Sequence, residues 1–402
     1  METDITILDF KNEAQSWEEL KKINCDEMGL HILCPKSVFK VIKIKKIRTK
    51  AANILKQTFL GKGGDVAVSR KTVDLSAEYT DVIIFATLKQ YKVALAQLKV
   101  QPWGLAKLAQ QIENILMKSK ALPYRNYQWS DRALEINDTN SLVMGILNVT
   151  PDSFSDGGRF NRKESAKERV IALQEAGADI IDIGAESTRP YGGAEKVTEK
   201  EELERLLPIL EYINPYCKVP ISVDTYKANV AEAALKCGAH MINDIWGLQQ
   251  DEKMAQVAAK YNVPVVVMHN HVDMQYPDGI MYHMRSFFER SIAIGLENGL
   301  KKENIIIDPG IGFAKNFQQN MYVMNHLEDL QLMDCPVLLA TSRKRFIGEV
   351  LDLPVEERVE GTIATAALGR QKGVQIHRVH DVKEVKRTLK MLDAMMRSGR
   401  DE

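Results

Sequence analysis

Over its C-terminal two thirds the chain alternates short apolar, β-branched runs with longer stretches whose apolar residues recur at helical spacing. Eight such runs occur, at 142–149, 179–184, 219–225, 240–245, 263–269, 304–310, 336–342 and 373–380. Runs this short and this uniformly apolar read as strands buried on both faces, and their alternation with helices builds a parallel sheet. The segments between them, such as 163–176 and 198–213, read as helices. The second opens on a capping-box pattern, Thr198 with Glu201. Eight parallel strands, each followed by a helix, close into a barrel, and the stretch matches the roughly 250 residues such a fold takes. The predicted class is α/β: a (β/α)8 TIM barrel over 140–402, with an additional small N-terminal α+β domain over 1–135.

That first segment does not share the repeat. It holds a predicted strand at 81–87, a helical pattern at 105–118 and a Gly-rich turn at 61–64. Residues 124–140, polar and without apolar periodicity, read as a connector. Residues 36–64 carry nine cations (Lys36, Lys40, Lys43, Lys45, Lys46, Arg48, Lys50, Lys56 and Lys62) and no acid. The alternation within KVIKIKK places lysines on the solvent face of one strand, where they protect a sheet edge.

Composition narrows the class. The 402 residues hold 54 Lys+Arg against 54 Asp+Glu, so no bulk field draws the chain to polyanions, and neither nucleic acid nor membrane is an expected partner. No apolar run of about 18 residues exists to span a bilayer, and METDITILDF lacks the basic and apolar stretches of a signal peptide, so a cytoplasmic location is expected. Five widely spaced Cys without a CxxC pair argue for reduced thiols.

Polar residues collect at the predicted strand ends: Asn148; Glu186, Thr188 and Arg189; Asp224; Asn243; Asp308; Ser342 with Lys344; Arg378 with His380. Any one of them can be a helix cap. Together, at one end of a barrel, they describe a site. Asp224, Asn243, Asp308 and Lys344 suit a flat heterocycle with an amino-amide edge, because a carboxylate takes two parallel N–H bonds while Lys covers a carbonyl or ring nitrogen. Asn148, Arg189, Arg378 and His380 suit a phosphate or diphosphate. Mg²⁺ takes few protein ligands, and the Asn148 oxygen is a fitting contact for it.

These residues also sit in recognisable blocks: MGILNVTPDSFSDGG at 144–158, ESTRP at 186–190, ISVDT at 221–225, INDI at 242–245, DPGIGFAK at 308–315, SRK at 342–344 and RVHD at 378–381. In this order they closely resemble the dihydropteroate synthase family of folate biosynthesis. The resemblance implies condensation of 6-hydroxymethyl-7,8-dihydropterin diphosphate with p-aminobenzoate to 7,8-dihydropteroate and diphosphate, with Mg²⁺ as cofactor, a homodimer and sulfonamide binding. It implies that Asp224, Asn243, Asp308 and Lys344 hold the pterin. Asn148, Arg189, Arg378 and His380 hold the diphosphate, with the metal near Asn148. Phe154, Asp156, Thr188 and Pro190 close over the site and, with Phe313 and Lys344, form the p-aminobenzoate slot. Catalytic roles then fall to Asn148, Asp156, Arg189, Lys344, Arg378 and His380.

Two rival readings differ in class. A methyltetrahydrofolate-dependent methyltransferase also binds a pterin in a barrel but has no need of a diphosphate cluster. A catalytically inactive pterin-binding paralogue would share the pterin half-site. Tyr191, following Pro190, departs from the family pattern at the second loop and bears on its closure. His269 and His271 with Asp273 suggest a metal site, but alternate positions on a strand point apart.

Overall fold

The computed structural model describes residues 5–10, 12–118, 122–149, 159–186 and 197–398. The proposed loop residues Phe154, Asp156, Thr188, Arg189, Pro190 and Tyr191 lie outside these. The chain forms two compact units, one comprising 1–120 with 400–402 and the other 121–399.

The first unit runs α1 (Glu13–Lys22), α2 (Glu27–Ser37), β1 (Phe39–Arg48), α3 (Thr49–Leu60), β2 (Asp65–Val68), β3 (Tyr79–Thr87), α4 (Leu88–Leu98) and α5 (Leu105–Lys118). Its strands form an antiparallel sheet in the order β1-β3-β2. Ile84 and Val82 pack one face of this sheet against Leu55, Phe59, Tyr91 and Leu95 of α3 and α4. The α+β reading holds, and β1 is an edge strand whose Lys43 and Lys45 are exposed as the alternation predicts. Residues 1–120 carry 20 Lys+Arg against 13 Asp+Glu, and 121–402 carry 34 against 41. The neutral total is therefore a cancellation between a basic segment and an acidic one.

The second unit opens with a hairpin, β4 (Arg125–Gln128) and β5 (Ala133–Ile136), where the sequence suggested only a connector. The hairpin is too short and polar to show a period of its own. It is held by what it plugs: Tyr127, Leu134 and Ile136 pack into the barrel interior, and Arg132 donates to the carbonyls of Asn214 (2.8 Å) and Cys217 (2.7 Å). The barrel unit thus begins near 121 rather than 140.

The βα units follow: β6 (Leu142–Asn148), α6 (Arg159–Glu175), β7 (Ile180–Gly184), α7 (Glu199–Ile213), β8 (Ile221–Asp224), α8 (Ala228–Lys236), β9 (Met241–Asp244), α9 (Met254–Tyr261), β10 (Val265–Met268), α10 (Ile280–Glu297), β11 (Ile305–Asp308), α11 (Phe317–Asn325), β12 (Leu338–Leu339), α12 (Arg345–Leu351), α13 (Val359–Gln371), β13 (Ile376–Val379) and α14 (Val382–Ser398). All eight predicted strands are present, in the spatial order β11-β10-β9-β8-β7-β6-β13-β12. A parallel bridge between Ile307 and Val337 joins the two ends and closes the cylinder. Thr198 caps α7 through the reciprocal bonds with Glu201 that the sequence suggested.

Strand alternation sorts the barrel into layers. Val143, Ile181, Val223, Ile242, Val267 and Ile307 face the helices in the main core. Met144, Ile180, Met241, Val266, Ile306, Leu338 and Ile376 meet inside the barrel, above the hairpin. Two residues further along, the same inward face carries Asp182, Asn243, Asp308 and Arg378. Hydrophobic filling below and charge above give the barrel a dry floor and a polar mouth. The five cysteines are free thiols, and no helix among the described residues is long and apolar enough to cross a membrane.

Candidate active site

Parallel register sets the site's first neighbours. Asp224 ends β8 directly beside Asn243 on β9 and Gly184 on β7, and Asn148 ends β6 beside the same Gly184. From β13, across the barrel interior, Arg378 donates from Nε to Asp182 Oδ2 (2.6 Å) and from Nη2 to Asp224 Oδ2 (2.8 Å). Asn243 Nδ2 donates to the same Asp182 oxygen at 3.0 Å. The structure therefore brings Asp224, Asn243 and Arg378 into one hydrogen-bonded group, with Asp182 at its centre.

Asp182 is not one of the strand-end residues that the sequence marks. It lies in mid-strand and is fully buried. The available signal was a carboxylate inside an otherwise apolar strand, DIIDIG, which a buried position tolerates only with partners. Arg378 also gains a second aspect. The strand-end pattern points it at a diphosphate, whereas two of its nitrogens serve Asp182 and Asp224.

One oxygen on each carboxylate, Asp182 Oδ1 and Asp224 Oδ1, is buried without a hydrogen-bond partner. An unsatisfied buried acceptor costs about 1–3 kcal/mol, and here two carboxylates that share Arg378 each keep one oxygen able to accept an N–H group. Burial pushes the Asp224 carboxyl up to about 7, with Arg378 pulling it back down. The two acids share one guanidinium, and the neighbouring Asp182 carboxylate adds to the rise at Asp224.

Asp308 ends β11 and is buried; burial raises its carboxyl while Lys344 opposes the rise. Its Oδ1 accepts the Gly310 N–H at 2.7 Å, which turns the chain sharply inward. Gly310, at φ +63°, admits no side chain: a Cβ there would meet the His269 carbonyl at 2.0 Å. Lys344, at the start of α12, donates Nζ to the Ile311 carbonyl and lies 4.8 Å from the centre of the Phe313 ring. Burial lowers its ammonium to about 8, against the pull of Asp308. Asp308, Lys344 and Phe313 thus sit together, as the sequence expected.

On the remaining side, Asn148 is exposed at the end of β6. Ser342 Oγ accepts the His380 N–H at 3.1 Å and lies 3.1 Å from its Nδ1. Glu186 instead faces Lys227 at 2.8 Å, which also pairs with buried Glu202, so this residue holds α7 to the barrel. The rings of His269 and His271 do not diverge: the strand ends at Met268, and both turn toward His283, with His269 Nε2 3.0 Å from His283 Nδ1. Lys315 Nζ lies 3.0 Å from His269 Nδ1, and among the described residues no metal-binding group of three acids, thiols or imidazoles occurs.

A mouth with a buried acid–amide–guanidinium group, a lysine over an aromatic ring and polar groups at the rim has counterparts among known proteins. The pterin binding enzyme family matches residues 144–380. A dihydropteroate synthase from Bacillus subtilis is 57% identical over 259 residues, covering 64% of this chain and 90% of that one. The structure of a dihydropteroate synthase from Clostridium difficile, obtained in the presence of pteroic acid, matches with a TM-score of 0.63 at 48% identity, over 64% of this chain and 97% of that one. A Halobacterium salinarum protein that bears the name bifunctional folylpolyglutamate synthase/dihydropteroate synthase is 35% identical over 406 residues. That match spans 100% of this chain, the N-terminal unit included, and 47% of the relative. The chain belongs to the dihydropteroate synthase family of pterin-binding enzymes.

Proposed function

We propose that the protein joins 6-hydroxymethyl-7,8-dihydropterin diphosphate to p-aminobenzoate, releasing diphosphate and forming 7,8-dihydropteroate. The observation that carries this reading is the pair of orphaned oxygens on Asp182 and Asp224 beside Asn243, an acceptor-rich slot for the amino-amide edge of a pterin. Ionised Asp224 accepts parallel N–H bonds from that edge. Asn243 supplies both a donor and an acceptor, and Lys344 covers a carbonyl or ring nitrogen next to Asp308.

In the reaction the amine nitrogen forms a bond to the exocyclic methylene carbon. The C–O bond to the diphosphate breaks, its electron pair leaves on the diphosphate oxygen, and the new amine loses a proton. An aromatic amine is neutral at pH 7, so activation falls on the leaving group. Arg378 and His380, with Arg189 from a loop outside the described residues, stabilise the negative charge that grows there. The dihydropterin ring tolerates positive charge at the methylene, which favours a dissociative, SN1-like course. Asn148 offers one exposed neutral oxygen, which fits a Mg²⁺ ion held chiefly by substrate and water. Bound there, the ion would supply further charge stabilisation to the diphosphate. Phe313 and Lys344, with Phe154, Thr188 and Pro190, line the p-aminobenzoate slot.

The test is direct: purified protein, Mg²⁺ and both substrates yield dihydropteroate and diphosphate in equal amounts. No product above the protein-free control would end this reading. A homodimer belongs to the same proposal and is read by sedimentation.

A further inference from the structure

Lys315 has no role in the chemistry above, yet it is among the largest fully buried side chains of the protein. Its Nζ donates to the carbonyls of Gly310 (2.9 Å) and Phe313 (3.0 Å) and to His269 Nδ1 (3.0 Å). Two of these acceptors belong to the loop that follows β11, and the third stands at the end of β10. That loop is strained: Gly310, Gly312 and Ala314 have φ of +63°, +85° and +45°. For alanine the left-handed conformation costs about 1 kcal/mol or more, and it persists only where surrounding bonds over-determine it. Here they do. Tyr276 Oη donates to the Ala314 carbonyl at 2.7 Å, and Asn320 Oδ1 accepts the Gly312 N–H at 2.8 Å. Lys344 holds the Ile311 carbonyl from the opposite side.

The product of this bracing is the position of Phe313, whose ring lies under Lys344. The histidines complete the brace. Burial keeps His269 neutral, so its Nδ1 accepts from Lys315 while Nε2–H is free to donate to His283 on α10.

We propose that Lys315 is a positioning residue for the amine substrate: it sets the curvature of the 310–314 loop and so holds Phe313 where the p-aminobenzoate ring must lie. The proposal rests on the dihydropteroate synthase reading and on Phe313 lining that slot. Heterocycle binding rests chiefly on Asp182, Asp224 and Asn243 on other strands, with only Asp308 and Lys344 bordering the braced loop, so it depends on Lys315 less.

The test is steady-state kinetics of the full chain carrying Lys315→Met, which keeps the length and removes the three donors. The expected result is a KM for p-aminobenzoate raised about 10-fold or more, with the KM for the pterin diphosphate changed less than about twofold. Phe313→Leu should give a similar selective rise, and the double variant should be little worse than Phe313→Leu alone, because Lys315 acts through that ring. A parallel rise in both KM values, or additive effects of the two substitutions, overturns the proposal. If Lys315→Met does not fold, His269→Gln decides instead: it removes one anchor and should raise the same KM alone, by about threefold, and an unchanged ratio of the two KM values counts against the inference. Wild-type protein that makes no dihydropteroate refutes the functional reading itself; active wild type with an unaltered Lys315 variant refutes only this step.

Discussion

Both ends of the barrel bury an arginine against carboxylates, and they do so differently. At the floor, Arg370 donates Nε to Asp393 Oδ1 (2.6 Å) and Nη2 to the Asp138 carbonyl (2.6 Å). Asp393 also accepts the Ser141 N–H (2.7 Å) and hydroxyl (2.9 Å), so both its oxygens are used, and the pair ties the last helix to the first barrel strand. At the mouth, Arg378 likewise meets Asp182 and Asp224, but each acid keeps one buried oxygen unpartnered. Buried charge is therefore not what distinguishes the site. The floor group is satisfied from within the protein and spends its bonds on the fold; the mouth group is complete only with donors from outside.

The sharpest way to break this comparison is to remove the floor. A chain beginning at Asn140 lacks the hairpin that fills the barrel with Tyr127, Leu134 and Ile136, each worth about 2–5 kcal/mol of burial. It should fail to give soluble folded protein, whereas a chain beginning at Ala121 should fold, retain activity and melt cooperatively in circular dichroism. Next in size, Arg370→Ala leaves Asp393 buried and unpaired and should cost about 3–5 kcal/mol in urea unfolding, while kcat of the folded fraction stays within about threefold. Equal losses of kcat in the floor and mouth variants would erase the distinction.

Arg378→Ala should also lower stability, because it leaves Asp182 and Asp224 buried and unpaired, but unlike the floor variant it should cost rate as well. Single-turnover rates should fall about 10²-fold or more, because the lost guanidinium faces the charge that develops on the diphosphate. A full-rate variant would mean that Arg378 serves only to neutralise the two acids.

The smallest effect is the dependence on pH. Asp224, raised to about 7, is ionised above that value, and Lys344, lowered to about 8, loses its charge above that one. The kcat/KM for the pterin diphosphate should rise toward pH 7 and fall beyond about pH 8, as apparent values of the whole group. Asp224→Asn should remove the acidic limb. For stability the sign is opposite to that of an ordinary salt-bridged acid. The folded state holds the Asp224 proton more tightly than the unfolded one, so this group's contribution is full below about pH 4 and is lost as pH rises to 7. Asp224→Asn should therefore preserve or raise Tm at pH 8 while abolishing the acidic limb. A drop of several degrees would show that the ionised carboxylate stabilises the fold.

Much of this was legible in the chain. The eight apolar runs marked all eight barrel strands, because strands buried on both faces are uniformly apolar. Asp224, Asn243, Asp308 and Lys344 were readable from their places at strand ends, where a barrel has its open mouth, and Phe313 only from the family resemblance. Other features were hidden for identifiable reasons. Asp182 lies in mid-strand, and only the cross-barrel reach of Arg378 shows that it belongs with Asp224. The hairpin at 125–136 has no hydrophobic period, since its burial comes from plugging a hole made by residues far along the chain. The pairing of His269 with His283 depended on the strand stopping at Met268, which ends the alternation that would have separated His269 from His271.

The sequence by itself determined the βα repeat, the type of each charged group at the mouth and its membership of a known family, because each is encoded in local pattern or in ordered motifs. Only the tertiary structure decided which charges face one another. Hydrogen bonds such as Arg378 to Asp182, or Lys315 to Phe313 and His269, join atoms across a closed barrel or a strained loop. Their energies depend on burial and on distances of a few tenths of an ångström, and neither quantity exists until the chain has closed on itself.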